Sequence, residues 1–124
     1  MVVLLLIGYS CSLLGQIQVH SHNDYAQEEP LFGALDAHVK SIEIDLILKD
    51  SILYVAHEAQ SIAPNKTLNV LYLDPLIQLI SENDPRIKNI QLLIDVKSEA
   101  YASLNAIIKA LTSLERLSYP TIED

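Results

Sequence analysis

Ser41-Ile42-Glu43-Ile44-Asp45-Leu46-Ile47-Leu48 sets Ile42, Ile44 and Leu46 against Glu43 and Asp45, the two-residue period of a β-strand. Both carboxylates therefore leave the strand on one face. That face is either wetted by solvent or offers side-by-side oxygen ligands to a hard cation such as Mg2+ or Ca2+. What lies around the strand decides between the two. Downstream, Lys49-Asp50-Ser51 reads as a turn into a second short strand over residues 52–57 that ends on His57. Residues 65–83 read as mostly helical, with Thr67 as N-cap and Pro75 starting a further turn. Residues 90–97 form the next strand, and Ser98 is expected to cap a helix whose buried stripe is Leu104, Ile107, Ile108, Leu111 and Leu114. Upstream, Pro30 opens a helical stretch with Leu31, Ala34, Leu35 and His38 at helix spacing, His38 serving only in packing. Before it, residues 16–20 alternate Ile17 and Val19 with Gln16, Gln18 and His20, again a strand. The order β-α-β, hairpin strand, α-β-α predicts an α/β fold on a parallel sheet, with its chemistry at the carboxyl ends of the strands.

The chain has 124 residues, enough for one domain. Half of them are hydrophobic and 19% are charged, a globular composition. A net charge of −8 excludes the basic footprint that nucleic acid or an anionic membrane surface requires. The apolar run over residues 2–7 is too short for a transmembrane segment, which takes about 20 residues. It has the length of a signal-peptide core, and Gly15 is a small residue where a peptidase could cut. Residues 1–15 are thus expected to be a leader and residues 16–124 an exported domain, periplasmic, extracellular or membrane-associated. Cys11, the only cysteine, would leave with the leader.

Three further groups converge on the acidic pair. Asp95 and Lys97 stand two apart near the end of their strand, opposite Ile94 and Val96. With helices on both sides of that segment, charged inward side chains at one end of the strand suggest a site. His20 and His57 each end a strand flanking Glu43 and Asp45, and histidine is the usual carrier of protons near neutral pH. His22 and Asn23 follow on the loop, placed to hold a phosphate oxygen or to orient His20.

His20-Ser21-His22-Asn23-Asp24-Tyr25, Ser41-Ile42-Glu43-Ile44-Asp45, Val55-Ala56-His57-Glu58 and Leu93-Ile94-Asp95-Val96-Lys97 together resemble the phosphatidylinositol phospholipase C-like phosphodiesterase superfamily. That superfamily includes the glycerophosphodiester phosphodiesterases and sphingomyelinase D-type enzymes. The first motif and Thr67-Leu68 with Leu71-Tyr72-Leu73-Asp74-Pro75-Leu76 look most like the branch of the fungal "altered inheritance of mitochondria" proteins. The resemblance implies a TIM-type (β/α)8 barrel and a metal-dependent phosphoric diester hydrolase acting on a small phosphodiester or phospholipid head group. It makes His20 and His57 the acid–base pair, Glu43, Asp45 and Asp95 the ligands of one divalent cation, and Lys97 a holder of a substrate phosphate oxygen. Ser21-His22 stands where glycerophosphodiesterases have Arg-Gly, which leaves the head-group preference open, and Glu58-Ala59 stands where many relatives carry an Asp, which leaves that supporting contact open.

A second enzyme reading starts from His20-x-His22, which resembles the metal-binding opening of amidohydrolases and multi-histidine phosphoesterases, with nitrogen-rich sites suited to Zn2+. It leaves Glu43, Asp45 and His57 without roles. A closed barrel takes eight strands and about 250 residues. The expectation for these residues is therefore the N-terminal portion of a barrel, inactive and loosely packed in isolation.

Overall fold

The structure is a computed structural model that describes residues 18–118, with side chains through residue 112. The expected leader, and Gln16 and Ile17 of the expected first strand, lie outside the described residues. Strand β1 is His20–Ser21, followed by α1 (Phe32–Asp36), β2 (Ser41–Lys49) and β3 (Ile52–Val55). A π-helical turn over Asn69–Leu73 runs into α2 (Asp74–Ser81), and β4 (Gln91–Val96) leads to α3 (Ala100–Ser118).

The deciding stretch is the central strand. β1 pairs with β2 in parallel at Ser41 and Ile42, and β4 pairs with it in parallel from Ser41 to Leu46. Because Ser41 and Ile42 are matched to both, β1 and β4 must lie on opposite edges of β2. β3 runs antiparallel along Leu46 to Lys49. The Leu46 carbonyl accepts from Lys97 N–H while the neighbouring Asp45 carbonyl accepts from Ala56 N–H. Adjacent carbonyls point to opposite edges, so β3 continues the β1 edge. The hairpin turn has φ of 49° at Asp50 and 64° at Ser51, the two positive values that a two-residue type I′ connection needs. The fold is α/β with a parallel sheet and helices. The eight-stranded barrel is not seen: among the described residues the sheet has four strands and is open.

The two faces of β2 have different fates. Ile42, Ile44 and Leu46 are fully buried in a core with Leu31, Leu35, Leu68, Tyr72, Leu76 and Ile107, all on the helix side. The partners of Glu43 and Asp45 across the β4 register are Leu93 and Asp95, and paired residues share a face. Leu93 is half exposed there. Around Leu93 no strand or helix of the described residues covers this charged face, and an apolar side chain lies open there.

Helix ends follow local chemistry. Thr67 Oγ1 accepts from Val70 N–H at 3.3 Å, the N-cap bond expected of it. Both short helices end in Schellman motifs. Val39 N–H bonds the Ala34 carbonyl past α1, and Asp84 N–H bonds the Leu79 carbonyl past α2. The left-handed residue of each motif is His38, φ 56°, and Asn83, φ 54°. This corrects the packing role expected of His38: it is exposed beyond the helix end. α3 also departs from expectation. Glu99, not Ser98, caps it, its carboxylate accepting from Tyr101 and Ala102 N–H. Ser98 Oγ instead accepts from Leu48 N–H, pinning the helix start to the end of β2. The buried side of α3 is Ser103 and Ile107 with Ala106 and Ala110 packed beside them, whereas Leu104, Ile108 and Leu111 are exposed. Small residues let the helix approach the core closely, so the larger leucines turn outward, and Leu114 lies beyond the described side chains.

Candidate metal and acid–base site

β2 and β4 present their carboxylates in register. Oxygen atoms of Glu43, Asp45 and Asp95 all lie within 4.8 Å of one another. Asp45 is fully buried, Glu43 partly so, and Asp95 is exposed. The register follows from β-pairing alone: Asp45 is matched to Asp95 and Glu43 to Leu93. Asp45 Oδ2 accepts two short bonds, from the Tyr25 hydroxyl at 2.7 Å and from His57 Nδ1 at 2.7 Å. Its other oxygen, Oδ1, is buried with no hydrogen-bond partner. The nearest cationic group is the Lys97 ammonium at 3.7 Å. A buried carboxylate oxygen without a donor is costly, and this one faces two further carboxylates. Such an oxygen-only donor set fits a hard divalent cation such as Mg2+ or Ca2+.

Burial alone would raise the Asp45 carboxyl. Hydrogen bonds from Tyr25 and His57, with the charge of Lys97, outweigh it and hold the group below the usual carboxylate range. Burial, then the bond to Asp45, pushes the Tyr25 hydroxyl well above the ordinary phenol range, so it remains a donor. The hydrogen bond from Lys97 Nζ to Asp95, 2.6 Å long, raises the lysine further, so it stays charged beside the cluster.

The histidines approach from both sides. His20 is matched to Ser41 across the parallel ladder, and so stands on the Glu43 face. Its Nδ1 lies 3.0 Å from Ser41 Oγ and its Nε2 3.2 Å from Glu43 Oε2. His22, exposed on the loop, places Nε2 3.4 Å from Glu43 Oε1. His57 follows β3, which ends at Val55, two residues earlier than expected. Its Nδ1–H donates to Asp45, a bond that fixes the tautomer and leaves Nε2 as a proton acceptor turned away from the carboxylate. Asn23 is left-handed, φ 50°, with its Oδ1 3.3 Å from the Tyr25 hydroxyl. All eight residues expected at the site therefore gather along one face of the sheet and the loops beside it. His20 and His22 each turn to Glu43, and the metal-ligand group that the described residues assemble is the three carboxylates, without a histidine.

Sequence reasoning missed the supports. Asp24 is buried and accepts from Ser21 Oγ, from Leu31 N–H at 2.7 Å and from the Tyr72 hydroxyl at 2.9 Å. It thereby stabilises a γ-turn at Leu31, φ 63° and ψ −60°, closed by a 2.8 Å bond from Phe32 N–H to the Pro30 carbonyl. No periodicity marks Asp24 or Tyr25. Their only signal was membership of the first motif.

The comparisons with known proteins bear on the same residues. The family described as "AIM6-like phosphodiesterase domain" matches residues 12–90, more than half of the chain, including His20, Glu43, Asp45 and His57. The chain belongs to this AIM6-like family. The matched span stops before Asp95 and Lys97. The "Altered inheritance of mitochondria protein 6 homolog" of Arthroderma benhamiae is 31% identical over 128 residues, covering 85% of this chain and 41% of that protein. "Altered inheritance of mitochondria protein 6" of Kluyveromyces lactis is 34% identical over 111 residues, covering 65% of this chain and 26% of that protein. Its Lachancea thermotolerans counterpart is 43% identical over 68 residues, covering 52% of this chain and 16% of that protein. The chain thus spans less than half the length of each of these AIM6-like relatives. No solved structure matches it. Among the described residues no helix is long and apolar enough to cross a membrane.

Acid should expose the linkage in this part of the AIM6-like domain. Asp45 and Glu99 both sit below the ordinary carboxylate range in the folded chain. Each contributes stability that is present above the unfolded value, about pH 4, and lost as pH falls through the folded one. Denaturant midpoints measured in EDTA are expected to hold between pH 7 and 5 and to drop below about pH 4. Asp45→Asn should flatten that drop, and an unchanged acid profile would contradict the assignment.

Proposed function

We propose that this face is the catalytic surface of a metal-dependent phosphodiesterase, acting on a phospholipid- or glycerophosphodiester-like substrate by acid–base chemistry of His20 and His57. The family's description supports the phosphodiester class. The observation that carries the metal is Asp45, whose buried Oδ1 lacks a donor among three carboxylates while its Oδ2 orients His57. In this reading Glu43, Asp45 and Asp95 hold one Mg2+ or Ca2+, which when bound neutralises phosphate oxygens as charge builds in the transition state.

The chain's own groups do the rest. His57 Nε2 takes the proton of the attacking hydroxyl, and the Asp45 carboxylate stabilises the imidazolium that results. His20 delivers a proton to the leaving alkoxide from the Glu43 side. Lys97 adds a fixed positive charge for a phosphate oxygen, with His22 and Asn23 on the loop above. The wider proposal follows the resemblance: a member of the phosphatidylinositol phospholipase C-like superfamily, exported, on a barrel to which these residues contribute the first strands. The greater length of the relatives and the half-exposed Leu93 on the charged face support it.

Metal removal tests the core of this reading. A protein of the relatives' full length carrying these residues should lose bis-nitrophenyl phosphate cleavage in EDTA and regain it with Mg2+ or Ca2+. Asp45→Asn, which trades an anionic ligand for a neutral one of similar shape, should weaken cation binding. Full activity in excess EDTA would sink the assignment.

A further inference from the structure

Tyr25 belongs to the first motif, yet nothing so far gives it a catalytic part. Its ring is buried in the core, 9% exposed, and its backbone lies in the 3-10 turn Asp24–Ala26. That turn is tethered at Asp24 to Leu31 and, 48 positions along the chain, to Tyr72. The hydroxyl is therefore delivered from a fixed support. It meets Asp45 Oδ2 at 2.7 Å, the same oxygen that accepts His57 Nδ1.

We propose that Tyr25 is a positioning residue for the cation: its hydroxyl, with His57, holds Asp45 Oδ2 so that Oδ1 is presented to the space shared with Glu43 and Asp95. The inference rests on the metal reading above. The plane of an aspartate carboxylate turns broadly about its last torsion, so something must fix the direction in which its free oxygen faces. Two donors on one oxygen fix it, because turning the plane away would break both bonds. His57 alone is a weak anchor, since its ring stands on a bend and is more than half exposed. Tyr25 is the donor that cannot drift. Outer partners of this kind typically change metal affinity by roughly 10–100-fold.

The test uses Mn2+ as the probe, on a protein of the relatives' full length carrying these residues. Free Mn2+ is read by electron paramagnetic resonance, and folding stability by denaturant titration. Tyr25→Phe keeps the ring and removes only the hydroxyl, and should weaken Mn2+ binding by roughly 10–100-fold. Leu79→Ala is the control: it removes a buried side chain of α2, on the helix side of the sheet and away from Asp24 and Asp45, and should lower stability without moving Mn2+ affinity. Unaltered affinity in Tyr25→Phe would overturn the role of Tyr25 and leave the metal reading standing. Equal losses in both variants would mean a loosened core and would also overturn it. If the unaltered chain binds no Mn2+, the metal reading itself fails and takes this one with it.

Discussion

Replacing His57 by alanine is expected to slow phosphodiester cleavage by roughly 10²–10⁴-fold, the usual worth of a positioned acid or base. His57 is the histidine whose tautomer the structure sets: Nδ1 is given to Asp45 and Nε2 is left to accept. The same change leaves Asp45 Oδ2 with the Tyr25 hydroxyl, so the fold should survive. His20→Ala should fall in the same range, because Nε2 of His20 reaches Glu43 from the other side. His22→Ala should cost much less, since its ring is exposed and its contact with Glu43 is the longer, 3.4 Å. Initial rates on bis-nitrophenyl phosphate, in a protein of the relatives' full length carrying these residues, give the order. Were His22 the most damaging of the three, a site with histidine metal ligands would be the better description.

The second large effect is on stability. Ile44→Ala should destabilise the chain by about 2–5 kcal/mol, the span for deleting a buried isoleucine side chain. Ile44 is fully buried at the middle of β2, between the paired strands and beneath the helices. Collapse cannot readily fill the gap, because β4 is paired along this whole stretch of the strand and the carboxylate face is held by Tyr25 and His57. Urea unfolding of the two chains at pH 7 measures it. A loss no larger than that of Leu104→Ala, on the exposed side of α3, would show that the core is not packed as described.

Much of this was legible because period and register are local. The alternation of Ile42, Ile44 and Leu46 with Glu43 and Asp45 placed the two carboxylates on one face, and the same alternation in β4 placed Asp95 with them. The turn at Lys49-Asp50-Ser51 and the cap at Thr67 also read directly from residue chemistry. The misreadings have different causes. The stripe on α3 was assigned from hydrophobicity, but close approach to the core selected Ser103, Ala106 and Ala110 by size. His38 sat at helix spacing, yet α1 stops at Asp36 and a left-handed residue follows. Asp24, Tyr25 and Tyr72 are invisible to any period because their bonds join residues up to 48 positions apart. The barrel rested on likeness to a family and not on any pattern in these residues, which form an open four-stranded sheet, and it stands as a proposal.

The pairing of β2, with β4 along Ser41 to Leu46 and with β1 and β3 towards its two ends, also bears on how the site moves. Segments held on both edges and capped by core side chains are among the last to open when a native protein fluctuates, whereas bends and short loops open first. Glu43 and Asp45 ride on the slow element, and His22 and His57 on the fast ones. An ion cage must keep its dimensions through many thermal excursions, while a proton carrier has to swing toward one partner and then another. Under the proposed function the chain would divide these demands between a strand that stays shut and bends that can breathe.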